Sequence, residues 1–181
     1  TLGITDEAFM RDALAVDVTA SRVGPAIVVE VAITNDNTGH HVPTDSPLRH
    51  LILLASAVSE SGQALAQRDG PTVPDWGGVG DVAEGYYAGL PGTAYAKILQ
   101  EFRSGLAPTA AYWNPTRVLS DNRIPALATD ITRYVFDAPQ TGAATVEVTL
   151  LFRRAFIDLA ALKGWSDPDL VLHRESIAVQ G

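Results

Sequence analysis

The sequence predicts an all-β fold, an antiparallel two-sheet sandwich of immunoglobulin-like type with short inserted helices. Three observations carry this. Apolar and polar residues alternate with a period of two along "PAIVVEVAITN" (25–35) and "AATVEVTLLFRRAF" (143–156), the period of a half-buried strand. About seven or eight strand-like segments recur between turns rich in Gly, Asn, Asp and Pro. The helical stretches are inserted among the strands rather than alternating with them, so a parallel βαβ sheet is disfavoured. No repeat or linker divides the chain, which reads as one domain over residues 1–181.

The elements follow in order. An N-terminal helix is expected within 1–14, where Thr5 can cap, Asp6 and Glu7 suit the first turn, and Phe9, Met10 and Leu14 share a face. "ALAVDVTASRV" (13–23) and 25–35 then alternate, with Ile27, Val29, Val31 and Ile33 pointing one way. "RHLILLASAVSE" (49–60) is more fully apolar, as a central strand would be. "SGQ" (61–63) reads as a hairpin turn from which "ALAQRD" returns. Residues 69–92 hold seven Gly and three Pro around Trp76, Tyr86 and Tyr87. So long an irregular excursion is functional or tied down on another surface. "TAYAKILQEF" (93–102) has helical spacing through Tyr95, Ile98, Leu99 and Phe102. Strands follow at 116–125, 129–139 and 143–156, the last with Val146, Val148 and Leu150 on one face. A short helix at 158–165 stops at Gly164, and 169–180 supplies a final strand.

Composition removes whole classes of function. Lys and Arg number 13 against 21 Asp and Glu, a net charge of −8, with the basic residues scattered. That disfavours nucleic acid and anionic membrane surfaces, which need clustered cations. No apolar run reaches the length of a membrane span, so no membrane insertion is expected. The absence of cysteine excludes disulfides, thiolate metal sites and covalent c-type haem attachment within this chain. The chain opens at Thr1 without Met, which reads as a mature form or an excised piece of something larger.

The most loaded stretch is "ITNDNTGHHVPTDSPLRHLILLA" (33–55), which holds His40, His41 and His50. Imidazoles bind Zn and Cu well, and Asp45 could add an oxygen. However, neighbours on an extended segment point to opposite faces, so His40 and His41 are not expected to share an ion. The plainer reading is a turn: Asn35, Asp36, Asn37 and Gly39 are turn formers, and Pro43 and Pro47 fix the backbone. Calcium at "TNDNTG" lacks the EF-hand pattern. In "SDNRIP" (120–125), Arg123 can clamp Asp121 at a strand corner. In "LLFRRAF", Arg153 and Arg154 could bind an anion such as a haem propionate, or one could face solvent while the other stacks on an aromatic. Asp75, Asp81, Glu84 and Glu101 flank the Gly-rich excursion, but no spacing singles out a catalytic pair, and no GxSxG elbow exists.

Taken together, "VAITNDNTGHHVPTDSPLRHLILLASAVSESGQAL", "AGLPGTAYAKILQE", "SDNRIPALATDITRYVFDAP" and "ATVEVTLLFRRAF" resemble the β-sandwich region of exported bacterial multihaem c-type cytochromes. That family carries an N-x-GH-x-x-PTG-x-P-x-R turn after an early strand and a D-x-RI-x-P corner before the late strands. Asn37, Gly39, His40, Pro43, Thr44, Pro47 and Arg49 match the first pattern; Asp121, Arg123, Ile124 and Pro125 match the second. The resemblance covers roughly residues 8–179. Asp45 stands where the family has Gly, so the turn there is expected to differ slightly, and no CxxCH is present.

The resemblance implies export to an extracytoplasmic compartment and an electron-transfer context. It makes a haem-bearing domain or chain of a multihaem cytochrome the expected partner. His40, with His41 as alternative, becomes a candidate contact to haem or a divalent metal. Trp76, Tyr86 and Tyr87 become a candidate surface for a porphyrin edge. The first reading is therefore a non-enzymatic docking or scaffolding module. Two others stand beside it: a carbohydrate-binding or adhesion module stacking ligands on those aromatics, and a metal-dependent hydrolase built on the histidine turn.

Overall fold

The computed structural model describes residues 7–111 and 113–181. Among these are ten strands: β1 (Ala15–Val23), β2 (Ala26–Thr34), β3 (His50–Ser59), β4 (Gln67–Asp69), β5 (Gly92–Tyr95), β6 (Lys97–Glu101), β7 (Thr116–Asp121), β8 (Thr129–Asp137), β9 (Ala144–Arg153) and β10 (Leu170–Val179). Two short helices accompany them, α1 (Glu7–Arg11) and α2 (Ile157–Lys163). One sheet runs β1–β2–β8–β4 and the other β10–β9–β3–β5, all neighbours antiparallel. The first order corresponds to strands A-B-E-D of an immunoglobulin domain, and β3–β9–β10 to C-F-G. The expected sandwich is the observed one.

Alternation sets the register. Ile27, Val29, Val31 and Ile33 of β2 are each 1% exposed or less. Sliding β2 by one residue would swap all four for Val28, Glu30, Ala32 and Thr34, so the nine-residue pairings to β1 and β8 are strongly specified. Each such side chain contributes roughly 1.5–3 kcal/mol by leaving water. Val146, Val148 and Leu150 of β9 and Leu51 and Leu53 of β3 join the same core from the other sheet, and Tyr134 and Phe136 of β8 lie beside them in their own.

Two expectations need correction. The segment 93–102 is not a helix but β5 and β6, separated at Ala96. Asn122 fixes this break by accepting from the Ala96 N–H (2.9 Å) and donating to Ala94 O (2.8 Å). β5 pairs with β3, while β6 pairs with β7 across a register shift at Ile98/Leu99. Break and bulge together produce an apolar spacing that imitates a helix, yet Phe102 is left 63% exposed. The N-terminal helix ends at Arg11, before Leu14; the expected cap at Thr5 and first-turn Asp6 lie outside the described residues. By contrast α2 ends where expected, with Gly164 in the left-handed conformation (φ 66°). The turn at 61–63 is present, but its return strand crosses to the other sheet as β4.

The core contains one avoidable penalty. The Tyr134 hydroxyl is buried without a hydrogen-bond partner, and burial followed by the nearby Asp130 carboxylate pushes its pKa up. Tyr134→Phe is expected to stabilise the protein by about 1 kcal/mol, since it removes an unpaired buried polar atom. A urea midpoint that rises at unchanged slope is the expected result; a fall would mean the hydroxyl is satisfied.

Candidate functional site

The histidine turn is held by one buried side chain. Asn35, fully buried, donates through Nδ2 to His40 O (2.7 Å) and Ile124 O (2.9 Å), and its Oδ1 accepts from Thr38 Oγ1 (2.7 Å). Val42 and Ile124 exchange backbone hydrogen bonds in both directions at 2.9 Å. The two sequence patterns, some 80 residues apart, thus meet in a single latch, and Asn35 is engaged as a strut rather than as a cation ligand. At the corner, Arg123 holds Asp121 in a fork (2.7 and 2.8 Å), which lowers the carboxyl pKa and raises that of the guanidinium.

Asp45 explains its own departure from the pattern. Its φ is 71°, the left-handed region a glycine would occupy, and aspartate is among the few residues that tolerate it. The turn therefore keeps the glycine-like path, contrary to expectation. In exchange Asp45 gains an ion pair with Arg49 (2.9 Å), one turn-length away. Pro43 is buried behind a cis Val42–Pro43 bond.

These residues line a pocket of about 440 Å³. Gly39, His40, Pro43, Thr44, Asp45 and Arg49 form one side, and Phe9 and Met10 of α1 face them. Apolar walls with a few convergent polar groups are the usual make-up of a ligand or partner site. His40 is exposed, and its Nδ1 lies 3.1 Å from His41 O. A carbonyl only accepts, so Nδ1 carries the proton and Nε2 is the nitrogen left for an external group. His41 is exposed as well.

The three clustered histidines of the sequence do not converge. His50 is fully buried at the start of β3, and among the described residues no three His or carboxylate side chains form a metal-holding group. Trp76, Tyr86 and Tyr87 also lie elsewhere: no residue lines both the His40 pocket and the cavity beside Tyr86. Trp76 packs its edge on His50 (5.4 Å) and Phe156 (5.8 Å), and Tyr87 lies under the Arg153 guanidinium (5.2 Å). They bind the excursion down rather than form an exposed row. Of the flanking carboxylates, Asp81 caps a turn at Ala83 N (2.9 Å) and Glu101 accepts from Ser104, Asn114 and Thr109.

Sequence reasoning missed the polar centre beneath the excursion. Arg153, 5% exposed, binds both carboxylate oxygens of Asp169 (2.8 and 2.7 Å) and donates to Gly77 O (3.0 Å) and Gly85 O (2.7 Å). It is a clasp joining β9, the segment before β10 and both ends of the 77–85 loop. Across the ladder it faces His50, whose ring stacks on Phe156 at 4.9 Å. His50 Nδ1 donates to Leu48 O (3.0 Å), while Nε2 is buried without a partner. Burial, opposed by that hydrogen bond and reinforced by the Arg153 charge, lowers its pKa from 6.5 to about 4. The signal available was an arginine inside an apolar strand; nothing in the spacing pointed to Asp169.

No protein-family model matches the chain, and no curated protein matches it. Among solved structures, it is similar to a penta-heme cytochrome c552 from Thermochromatium tepidum, with a TM-score of 0.69 at 20% identity. The match covers 96% of this chain and 41% of that one, so the chain spans well under half of that protein's length. At this identity the likeness establishes a shared fold.

Proposed function

We propose that this chain is a non-enzymatic, extracytoplasmic sandwich module of a multihaem electron-transfer system, which docks on a haem-bearing domain or chain and presents His40 at the contact. The carrying observation is the state of that imidazole. Its Nδ1–H is fixed on the His41 carbonyl, the arrangement by which proteins orient a histidine ligand, and its Nε2 is exposed beside an apolar-walled pocket. The likeness to a penta-heme cytochrome supports the context. A haem at this surface would supply one-electron transfer. The chain's own residues would hold it through the His40 imidazole nitrogen, an apolar wall from Phe9 and Met10 and a cation, Arg49, within the same pocket. The rigid Asn35 latch keeps that nitrogen from retreating.

A c-type haem peptide with its sixth coordination position open is a direct probe. Addition of the chain is expected to shift the Soret band toward a low-spin bis-nitrogen spectrum, and His40→Ala to abolish the shift while His41→Ala retains it. An unchanged spectrum, or one equally changed by His40→Ala, would sink the proposal.

A further inference from the structure

A second cavity, of about 390 Å³, opens at the clasp, between the Gly-rich excursion and α2. Its floor is Arg153 with Asp169, and its walls include Tyr86 and Trp165. Glu84, Arg154, Ser166 and Asp167 stand around it. The volume falls within the range of small-ligand pockets, roughly 300–1,000 Å³.

The aromatic wall is preformed. A Cβ at Gly78 would lie 2.9 Å from Tyr86 Cδ1, and one at Gly80 would lie 2.8 Å from Tyr86 Cγ. The Tyr86 ring therefore sits directly on glycine backbone, which fixes its plane without flexible side chains between. Arg153 holds the carbonyls of Gly77 and Gly85 on either side of this seat. Trp165 is 50% exposed; its backbone is set by the helix end, where its N–H donates to Ala160 O (2.9 Å).

Polar groups in the cavity are left over. The Tyr86 hydroxyl, the Trp165 indole N–H, the Ser166 hydroxyl and the Glu84 carboxylate form no hydrogen bond with any described residue. They comprise donors and acceptors together. Charge selects further. Arg153 is neutralised by Asp169, and Arg154 lies 3.8 Å from Asp167, so no cation is left in excess for an anionic ligand. The one carboxylate in excess, Glu84, opposes an anion and is left to accept from a ligand's hydroxyls.

We propose that this cavity binds an uncharged pyranose saccharide, stacked on Trp165 and Tyr86 and hydrogen-bonded by Glu84 and Ser166. Sugar rings offer an apolar face of C–H groups for an aromatic plane, and hydroxyls that both donate and accept. The site is independent of His40, and the two share no residue.

Calorimetric titration of the whole chain with cellobiose and with N,N′-diacetylchitobiose tests this, with acetate and inorganic phosphate as charged comparators. At least one disaccharide is expected to bind with a dissociation constant on the order of 1 mM, while neither anion does. Trp165→Ala is expected to weaken binding about tenfold or more, and Tyr86→Phe about threefold, both at parental melting temperature because Trp165 is half exposed and the Tyr86 ring is kept. Absence of disaccharide binding overturns the proposal. So does binding of the anions alone, or disaccharide binding that a folded Trp165→Ala variant retains in full.

Discussion

Replacing Arg153 with methionine is expected to lower the unfolding free energy by about 3–5 kcal/mol, the largest effect of any single substitution considered. The guanidinium is almost wholly buried and serves a carboxylate and two backbone carbonyls at once. Methionine fills much of the same volume, so the loss is not chiefly a cavity effect. What remains is the Asp169 charge, itself only 19% exposed, and the Gly85 carbonyl, both stripped of the guanidinium, while Gly77 O keeps only the long Tyr87 N–H bond (3.4 Å). Asp169→Asn is expected to cost less, about 1–2 kcal/mol, because an amide oxygen still accepts from the guanidinium. Urea unfolding of both variants measures the difference. Limited proteolysis should in addition cut the 77–85 loop in Arg153→Met well before the sheets, since the clasp is what closes it. A loss below about 1 kcal/mol would show that the clasp is decorative.

Stability is expected to fall by about 3 kcal/mol between pH 7 and pH 4 through His50 alone. The sign follows from linkage. His50 has a folded pKa near 4 and an ordinary value of 6.5 when unfolded. Between those values the unfolded chain binds the extra proton, so acid favours unfolding. The contribution is complete above pH 6.5 and is lost as pH drops toward 4. The cause is the apolar box of Phe156 and Trp76, which offers an imidazolium no acceptor on its Nε2 side. His50→Asn keeps a donor for Leu48 O but does not titrate. Its stability profile is expected to be lower at pH 7 and flatter by about 3 kcal/mol over this range, as read from chemical denaturation at each pH. Parallel profiles for the two proteins would mean the ring is protonated in the fold.

Much of the sandwich was legible because each β-strand with one face buried writes that fact into its own residues. β2 is an example along its whole length and β9 from Ala144 to Leu150: their buried residues alternate there, and only the last residues of β9, Leu150 to Arg153, are buried on both faces. Residues 93–102 were misread because local spacing cannot distinguish a helix face from two short strands joined by a break. The arbiter was Asn122, distant in sequence. Of the candidate site, what the sequence indicated was which residues of the histidine turn lie together. Gly39, His40, Pro43, Thr44 and Asp45 do share one pocket. Trp76 and Tyr87, in the same excursion as Tyr86, instead pack inward, Trp76 on His50 and Phe156 and Tyr87 under Arg153.

By itself the sequence determined the fold class, the strand faces, the turn chemistry at Gly39–Pro43 and the exclusion of thiol and covalent haem chemistry, because these depend on residues near one another or on composition alone. Only the tertiary structure decided that Asn35 joins two distant motifs. The same holds for which histidine is buried and which is presented, and for Arg153 finding Asp169 beneath the Gly-rich loop. Those outcomes depend on which backbone carbonyls and charges are brought out of water together. No local pattern records that, since the partner of a buried polar group is chosen by the packing of the two sheets and not by its neighbours in the chain.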